Sequence, residues 1–152
     1  MRTNISTLFC SLIICIAGCG YGQATPNYDT IDLIDVSGKV TFDGQPLAGA
    51  VVSFIDEASS RMSYGITNAD GKYQLRFDRQ KNGVTPGSKI VKVSTSTVIE
   101  GVNDSDVVID EETGEPKAKE LIPPQYNVQS ELRALVEEGK DEFNFTLMSS
   151  AQ

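Results

Sequence analysis

Residues 34–55 read Ile34-Asp35-Val36-Ser37-Gly38-Lys39-Val40-Thr41-Phe42-Asp43-Gly44-Gln45-Pro46-Leu47-Ala48-Gly49-Ala50-Val51-Val52-Ser53-Phe54-Ile55. Ile34, Val36, Gly38, Val40 and Phe42 fall on one side of a two-residue period, and Asp35, Ser37, Lys39 and Thr41 fall on the other. Side chains of an extended chain alternate between faces, so this pattern predicts a strand buried on one side. Asp43-Gly44 is a turn signal, and Gln45-Pro46-Leu47 leads on from it. Ala50, Val52 and Phe54 then alternate with Val51, Ser53 and Ile55, a second strand that is apolar on both faces.

The same period recurs downstream. Met62 to Thr67 reads as a third strand. Asn68-Ala69-Asp70-Gly71 is a tight connection, with glycine free to take a positive φ. Tyr73, Leu75 and Phe77 alternate with Lys72, Gln74 and Arg76. Asn82 to Gly87 is a loop, and Lys89 to Thr95 is a strand with Val91 and Val93 inward. Ser96 to about Pro124 is polar and acidic, and Val107-Val108-Ile109 is its apolar run. It reads as an extended loop with room for one short strand. Leu132, Ala134 and Val136, then Phe143, Phe145 and Leu147, alternate on either side of Gly139-Lys140 and predict a closing hairpin. The rival for the first half is a short helix, since Val128, Leu132, Leu135 and Val136 fit a 3.6 period. Glu137 and Glu138 would stand at its C-terminus, where the helix dipole disfavours acids. About seven short strands without a long helix make an all-β single-domain sandwich over 34–149.

Ahead of that domain the pattern changes. Arg2 precedes an apolar run from Ile5 to Ile16, too short for the roughly 20 residues of a spanning helix and of the form of a signal peptide. Ile16-Ala17-Gly18-Cys19 resembles the bacterial lipobox, an aliphatic residue and two small ones before a cysteine. The resemblance implies removal of residues 1–18, a thioether-linked lipid on Cys19 and usually a further acyl chain on its amine. One acyl chain anchors marginally and two anchor stably. The cysteines are Cys10, Cys15 and Cys19. Only Cys19 would remain after cleavage, so no internal disulfide is possible, and lipidation accounts for the odd thiol. Residues 19–33, with Gly20, Gly22, Pro26, Asn27 and Asp29, read as a flexible tether. The expected address is the cell envelope, facing the periplasm or exterior, with the membrane as partner through Cys19.

The 152 residues carry a net charge of −8 and contain neither His nor Trp. Without His there is no imidazole metal ligand and no Ser-His or Cys-His nucleophile pair. An acidic domain repels phosphates, which argues against nucleic acid and anionic headgroups as partners.

Several stretches together resemble carboxypeptidase regulatory-like domains, which have a transthyretin-like sandwich. They are Val36-Ser37-Gly38-Lys39-Val40-Thr41 with Asp43-Gly44-Gln45-Pro46-Leu47-Ala48-Gly49-Ala50-Val51-Val52, then Thr67-Asn68-Ala69-Asp70-Gly71-Lys72-Tyr73, then Pro86-Gly87 with Val91 and Val93. Lys89 departs from the pattern, standing where an aromatic is common. Ile122-Pro123-Pro124-Gln125-Tyr126-Asn127, Ser130, Leu132 and Phe143-Asn144-Phe145 resemble a subgroup of short bacterial lipoproteins. The likeness spans roughly Ile34 to Met148. It implies a non-catalytic accessory or adhesion module of the envelope, without peptidase residues. The expected role is a binding or structural module of the cell envelope, and an envelope protein or a glycan is the class of partner left open. The alternatives are a carboxylate-based hydrolase, for instance through Asp104 and Asp110, or a carbohydrate-binding protein.

Candidate sites are few. Asn103-Asp104-Ser105-Asp106 and Asp110-Glu111-Glu112 have oxygen ligands for Ca²⁺ but no EF-hand spacing, and read as solvated loop acids. Asp29, Asp32 and Asp35 read as exposed or capping. Asp70 reads as a turn residue. Tyr64, Tyr73 and Tyr126 are a conceivable platform for sugars, and Tyr126 is the one retained as a candidate ligand contact. Asn144-Phe145-Thr146 fits a glycosylation sequon, which the strand period also explains. No catalytic residue, cofactor or metal is expected.

Overall fold

The computed structural model describes residues 27–99 and 119–149. Eight strands follow in chain order: β1 (Ser37–Phe42), β2 (Gln45–Pro46), β3 (Val51–Asp56), β4 (Met62–Ile66), β5 (Lys72–Gln74), β6 (Gly87–Ser94), β7 (Arg133–Val136) and β8 (Phe145–Leu147). They form two four-stranded sheets, and the chain is an all-β sandwich. One sheet is built around β1, which pairs antiparallel with β2 and β5 and parallel with β8. The other runs β4-β3-β6-β7, antiparallel throughout.

The alternation places the core. Val36 and Val40 of the first stretch are fully buried. Val52 and Phe54 of β3 stand opposite Val93 and Val91 of β6, so these four share the inner face of the second sheet. Phe54 meets Phe143 and Phe145 edge-on, at ring separations of 5.6 and 6.2 Å, and so joins the two sheets across the core. Tyr73 crosses above Gly38, its partner in register, and its hydroxyl donates to the Phe143 carbonyl at 2.7 Å. A Cβ at position 38 would lie 1.8 Å from that carbonyl oxygen.

The described residues hold eight strands, in line with the expected sandwich of about seven, with Gln45–Pro46 pairing with Thr41 and Phe42. Three expectations are corrected. The first strand begins at Ser37, whereas Ile34 pairs singly with Val84 through two 2.9 Å hydrogen bonds. Beyond Gln74 the Tyr73-Leu75-Phe77 alternation leaves the strand: Arg76 makes isolated bridges to Tyr64 and Asn82, while Leu75 and Phe77 stay buried. The closing hairpin is not a hairpin: β7 joins β6 in one sheet and β8 joins β1 in the other. After a turn closed by Lys140 donating to Glu137 at 3.0 Å, the chain crosses between sheets. The cause is the free edge of β1, whose Ser37 amide donates to Asp141 and whose Ser37 carbonyl accepts from Phe143, each at 2.9 Å. Those groups need partners, and the Phe143 and Phe145 rings need the apolar space at Phe54.

Gly71 carries the expected turn, at φ +75°. The turn is built by Asn68 rather than Asp70. The Asn68 side-chain oxygen accepts from the amides of Asp70 at 3.0 Å and Lys72 at 2.9 Å. Part of the stretch ahead of residue 34 lies on the domain. Tyr28, in a 3-10 turn over Tyr28–Thr30, donates to Asp78 at 2.6 Å and meets the Phe77 ring edge-on at 6.4 Å.

Candidate functional site

A strand that is apolar on both faces must be covered on both. Val52 and Phe54 of β3 face the core, while Val51, Ser53 and Ile55 face the other way. The segment 120–128 lies over that outer face and leaves a groove of about 670 Å³. Its floor is Val51, Ser53 and Ile55 with Met62 of β4 and Lys92 and Ser94 of β6, and its walls include Ile122, Pro124, Asn127 and Val128.

The covering segment is held at both ends. At one end Glu120 accepts from the amides of Thr95 (3.1 Å) and Ile122 (2.9 Å) and from the hydroxyls of Ser94, Thr95 and Ser96. Burial pushes the Glu120 carboxyl up, but the Ser94 hydroxyl, the Ile122 and Thr95 amides and the Thr95 hydroxyl outweigh it and hold the group down at about 2. At the other end the buried Asn127 side chain donates to the Ile122 carbonyl at 2.9 Å, and the Ser130 hydroxyl donates to the Val91 carbonyl. The groove wall is therefore a fixed part of the fold.

On the inner face, Lys89 continues the line of Val91 and Val93 and is 1% exposed. Its ammonium donates to Asp56 at 2.5 Å and to the Pro86 carbonyl at 3.0 Å. Asp56 is the partner of Lys89 in register, and its other oxygen accepts from the amides of Ala58 and Ser59 and the Ser59 hydroxyl. The Lys89 hydrogen bond, then those of Ser59, hold the Asp56 carboxyl well below the usual range.

A second groove of about 530 Å³ lies on the outer face of the other sheet, lined by Ser37, Lys39, Thr41, Lys72, Asn144 and Thr146 among others. Asn144 is engaged there: its side-chain oxygen accepts from the Lys39 amide at 2.7 Å and its amide donates to Glu142 at 2.9 Å.

Tyr126, the retained ligand contact, is half-buried against the core, and its hydroxyl accepts from the Met148 amide at 3.4 Å. Neither groove is lined by it. Tyr64 and Tyr73 are buried, so the three tyrosines present no shared exposed face. Asp29, Asp32, Asp35 and Asp70 are exposed. Cys19, Asn103 to Asp106 and Asp110 to Glu112 lie outside the described residues. Among the described residues no group of three or more acids or cysteines is placed to hold a metal ion, and no helix is long and apolar enough to cross a membrane.

Reading the residues one by one misses Glu120, Lys89 with Asp56, and the Ser53–Lys92 pair on the groove floor. The signal available for the groove was β3 itself, apolar on both faces.

No protein-family model and no curated protein sequence matches the chain. Among solved structures it is similar to a 9R-lipoxygenase from Cyanothece PCC8801, with a TM-score of 0.38 and 13% identity. The match covers 76% of this chain, which spans 16% of the length of the lipoxygenase. At that score the likeness carries no functional argument.

Proposed function

We propose that this chain is a lipid-anchored, extracytoplasmic β-sandwich that serves the cell envelope as a non-catalytic binding module. The observation that carries the reading is Ile16-Ala17-Gly18-Cys19 behind a short apolar run, with Cys19 the lone cysteine of residues 19–152. Binding rather than catalysis is supported by how the perturbed carboxylates are used. Glu120 fastens the groove wall and Asp56 neutralises Lys89. A general acid or base works best with a pKa near the operating pH, and a carboxyl held at about 2 is far from it. The carboxypeptidase regulatory-like resemblance is part of the proposal and rests on the motif residues. Five of them have positive φ: Asp43, Gly44, Gly49, Gly71 and Gly87.

The test is to express the chain in a bacterial host, fractionate the cells and determine the mass of the mature N-terminus. The expected result is a membrane-bound form with a lipidated Cys19. Cys19→Ala is expected to be unprocessed or to appear in a soluble extracytoplasmic fraction. A mature wild-type protein with a free Cys19 thiol would overturn the anchor.

A further inference from the structure

We infer that the groove over β3 and β6 binds an aliphatic monocarboxylate, its carboxylate held between the Lys92 ammonium and the Ser53 hydroxyl. Ser53 and Lys92 are direct partners in the β3–β6 register and both line the groove floor. Residues directly opposite in an antiparallel pair stand side by side on one face. Ser53 is 6% exposed. Its hydroxyl has no hydrogen-bond partner among the described residues, and Lys92 has no ion-pair partner among them. Both groups keep contact with solvent at the groove floor, and a carboxylate seated beside them would accept charge-assisted hydrogen bonds from each. Glu120 also lines the groove but does not serve, because its oxygens are taken by Ser94, Thr95, Ser96 and Ile122.

The rest of the ligand follows from what flanks that pair. Val51 and Ile55 stand on either side of Ser53 on the same face, with Met62 beside them and Val128 in the wall, so the body that fits is apolar. A peptide fits poorly. β3 is paired on both sides, by β4 and β6, so the floor offers no free backbone group and a peptide would bury its own amides unpaired. An alkyl chain carries none. The volume of about 670 Å³ lies within the roughly 300–1,000 Å³ of small-molecule sites. The inference rests on the reading of the domain as a binding module and is independent of the lipid on Cys19.

The test uses the full chain in membrane vesicles from the expressing cells, irradiated with a diazirine-bearing octanoate, with cross-linked peptides mapped by mass spectrometry. Label is expected on peptides carrying β3, β4 and residues 122–128, and octanoate should compete where octanol does not. Lys92→Gln should weaken labelling about tenfold or more, the scale of one charge-assisted hydrogen bond, and Lys92→Arg should restore most of it. Val128 is 77% exposed, so Val128→Glu should leave the fold intact while its charge at the groove wall repels the probe. Label spread evenly over the domain, equal competition by octanol, or protection by a peptide ending in a free leucine carboxylate but not by octanoate would each overturn the assignment. Membrane attachment, read in the same preparations, reports the anchor separately. Loss of attachment with groove labelling intact overturns the anchor and upholds the groove.

Discussion

Replacing Gly71 with alanine isolates the turn that passes the chain from one sheet to the other. Gly71 sits at φ +75°, its amide donates to Asn68 at 2.9 Å, and its carbonyl accepts from Val40 at 2.8 Å. Two costs add. The left-handed conformation costs an L-residue roughly 1–2 kcal/mol. A Cβ there would also lie 2.4 Å from the Val40 carbonyl oxygen and 3.2 Å from the Leu47 amide nitrogen. Both neighbours are backbone, the Leu47 amide donating to the Val40 carbonyl at 3.1 Å, so relief requires β1 to move, an overpacking cost of about 1–3 kcal/mol. Gly44 is the control, at φ +79° with nothing within 4 Å of a built Cβ. Gly44→Ala should therefore cost about 1–2 kcal/mol and Gly71→Ala about 2–5 kcal/mol. The difference of about 2 kcal/mol corresponds to roughly 1 M in urea midpoint for a domain of this size. Urea unfolding of residues 27–149, followed by far-UV circular dichroism, measures it, and that fragment is expected to fold without lipid, metal or disulfide. Equal losses in the two variants would mean that the contact with β1 contributes nothing. A Gly71→Ala midpoint equal to the parent's would refute the turn itself.

Asn68→Ala should lower stability by about 1–2 kcal/mol, because two turn amides lose their acceptor, whereas Asp70→Asn should stay within about 0.5 kcal/mol; thermal melts separate them. Glu120 has its folded pKa lowered from 4.5 to about 2. Its stabilisation is therefore complete above pH 4.5 and is lost as pH falls towards 2, and a melting series over that window should be flatter in Glu120→Gln than in the parent. Asp56→Ala should destabilise more than Lys89→Met in urea titrations, since the first strands a buried ammonium while the second leaves a carboxylate still capped by Ala58 and Ser59.

The strands were legible because alternation is a local property. Val36 and Val40, Val52 and Phe54, Val91 and Val93 all went inward as their period required. Partnership was less legible. The hydrophobic period marks Phe145 and Leu147 as strand but does not say that their partner is β1 rather than β7. Lys89 shared the phase of Val91, yet its burial makes sense only with Asp56, 33 residues away, at the facing position. Glu120 was indistinguishable from the other acids of residues 96–124, because what singles it out is the set of donors converging on it from Ser94 to Ile122. Ser53 and Lys92 are unremarkable apart and meaningful only once the β3–β6 register sets them side by side.

The pairing of β1 with β8 bears on when this chain can fold. Lys39 and Asn144, hydrogen-bonded across that junction, are 105 residues apart. Contacts of such sequence separation form late, because the loop between them must close before they contribute anything. Synthesis runs from the N-terminus and delivers β1 early and β8 last, so the first sheet stays open until Leu147 has emerged. Until then the strand with the most partners lacks one of them. The topology that completes the sandwich thus also makes the last strand to leave the ribosome the one that closes it.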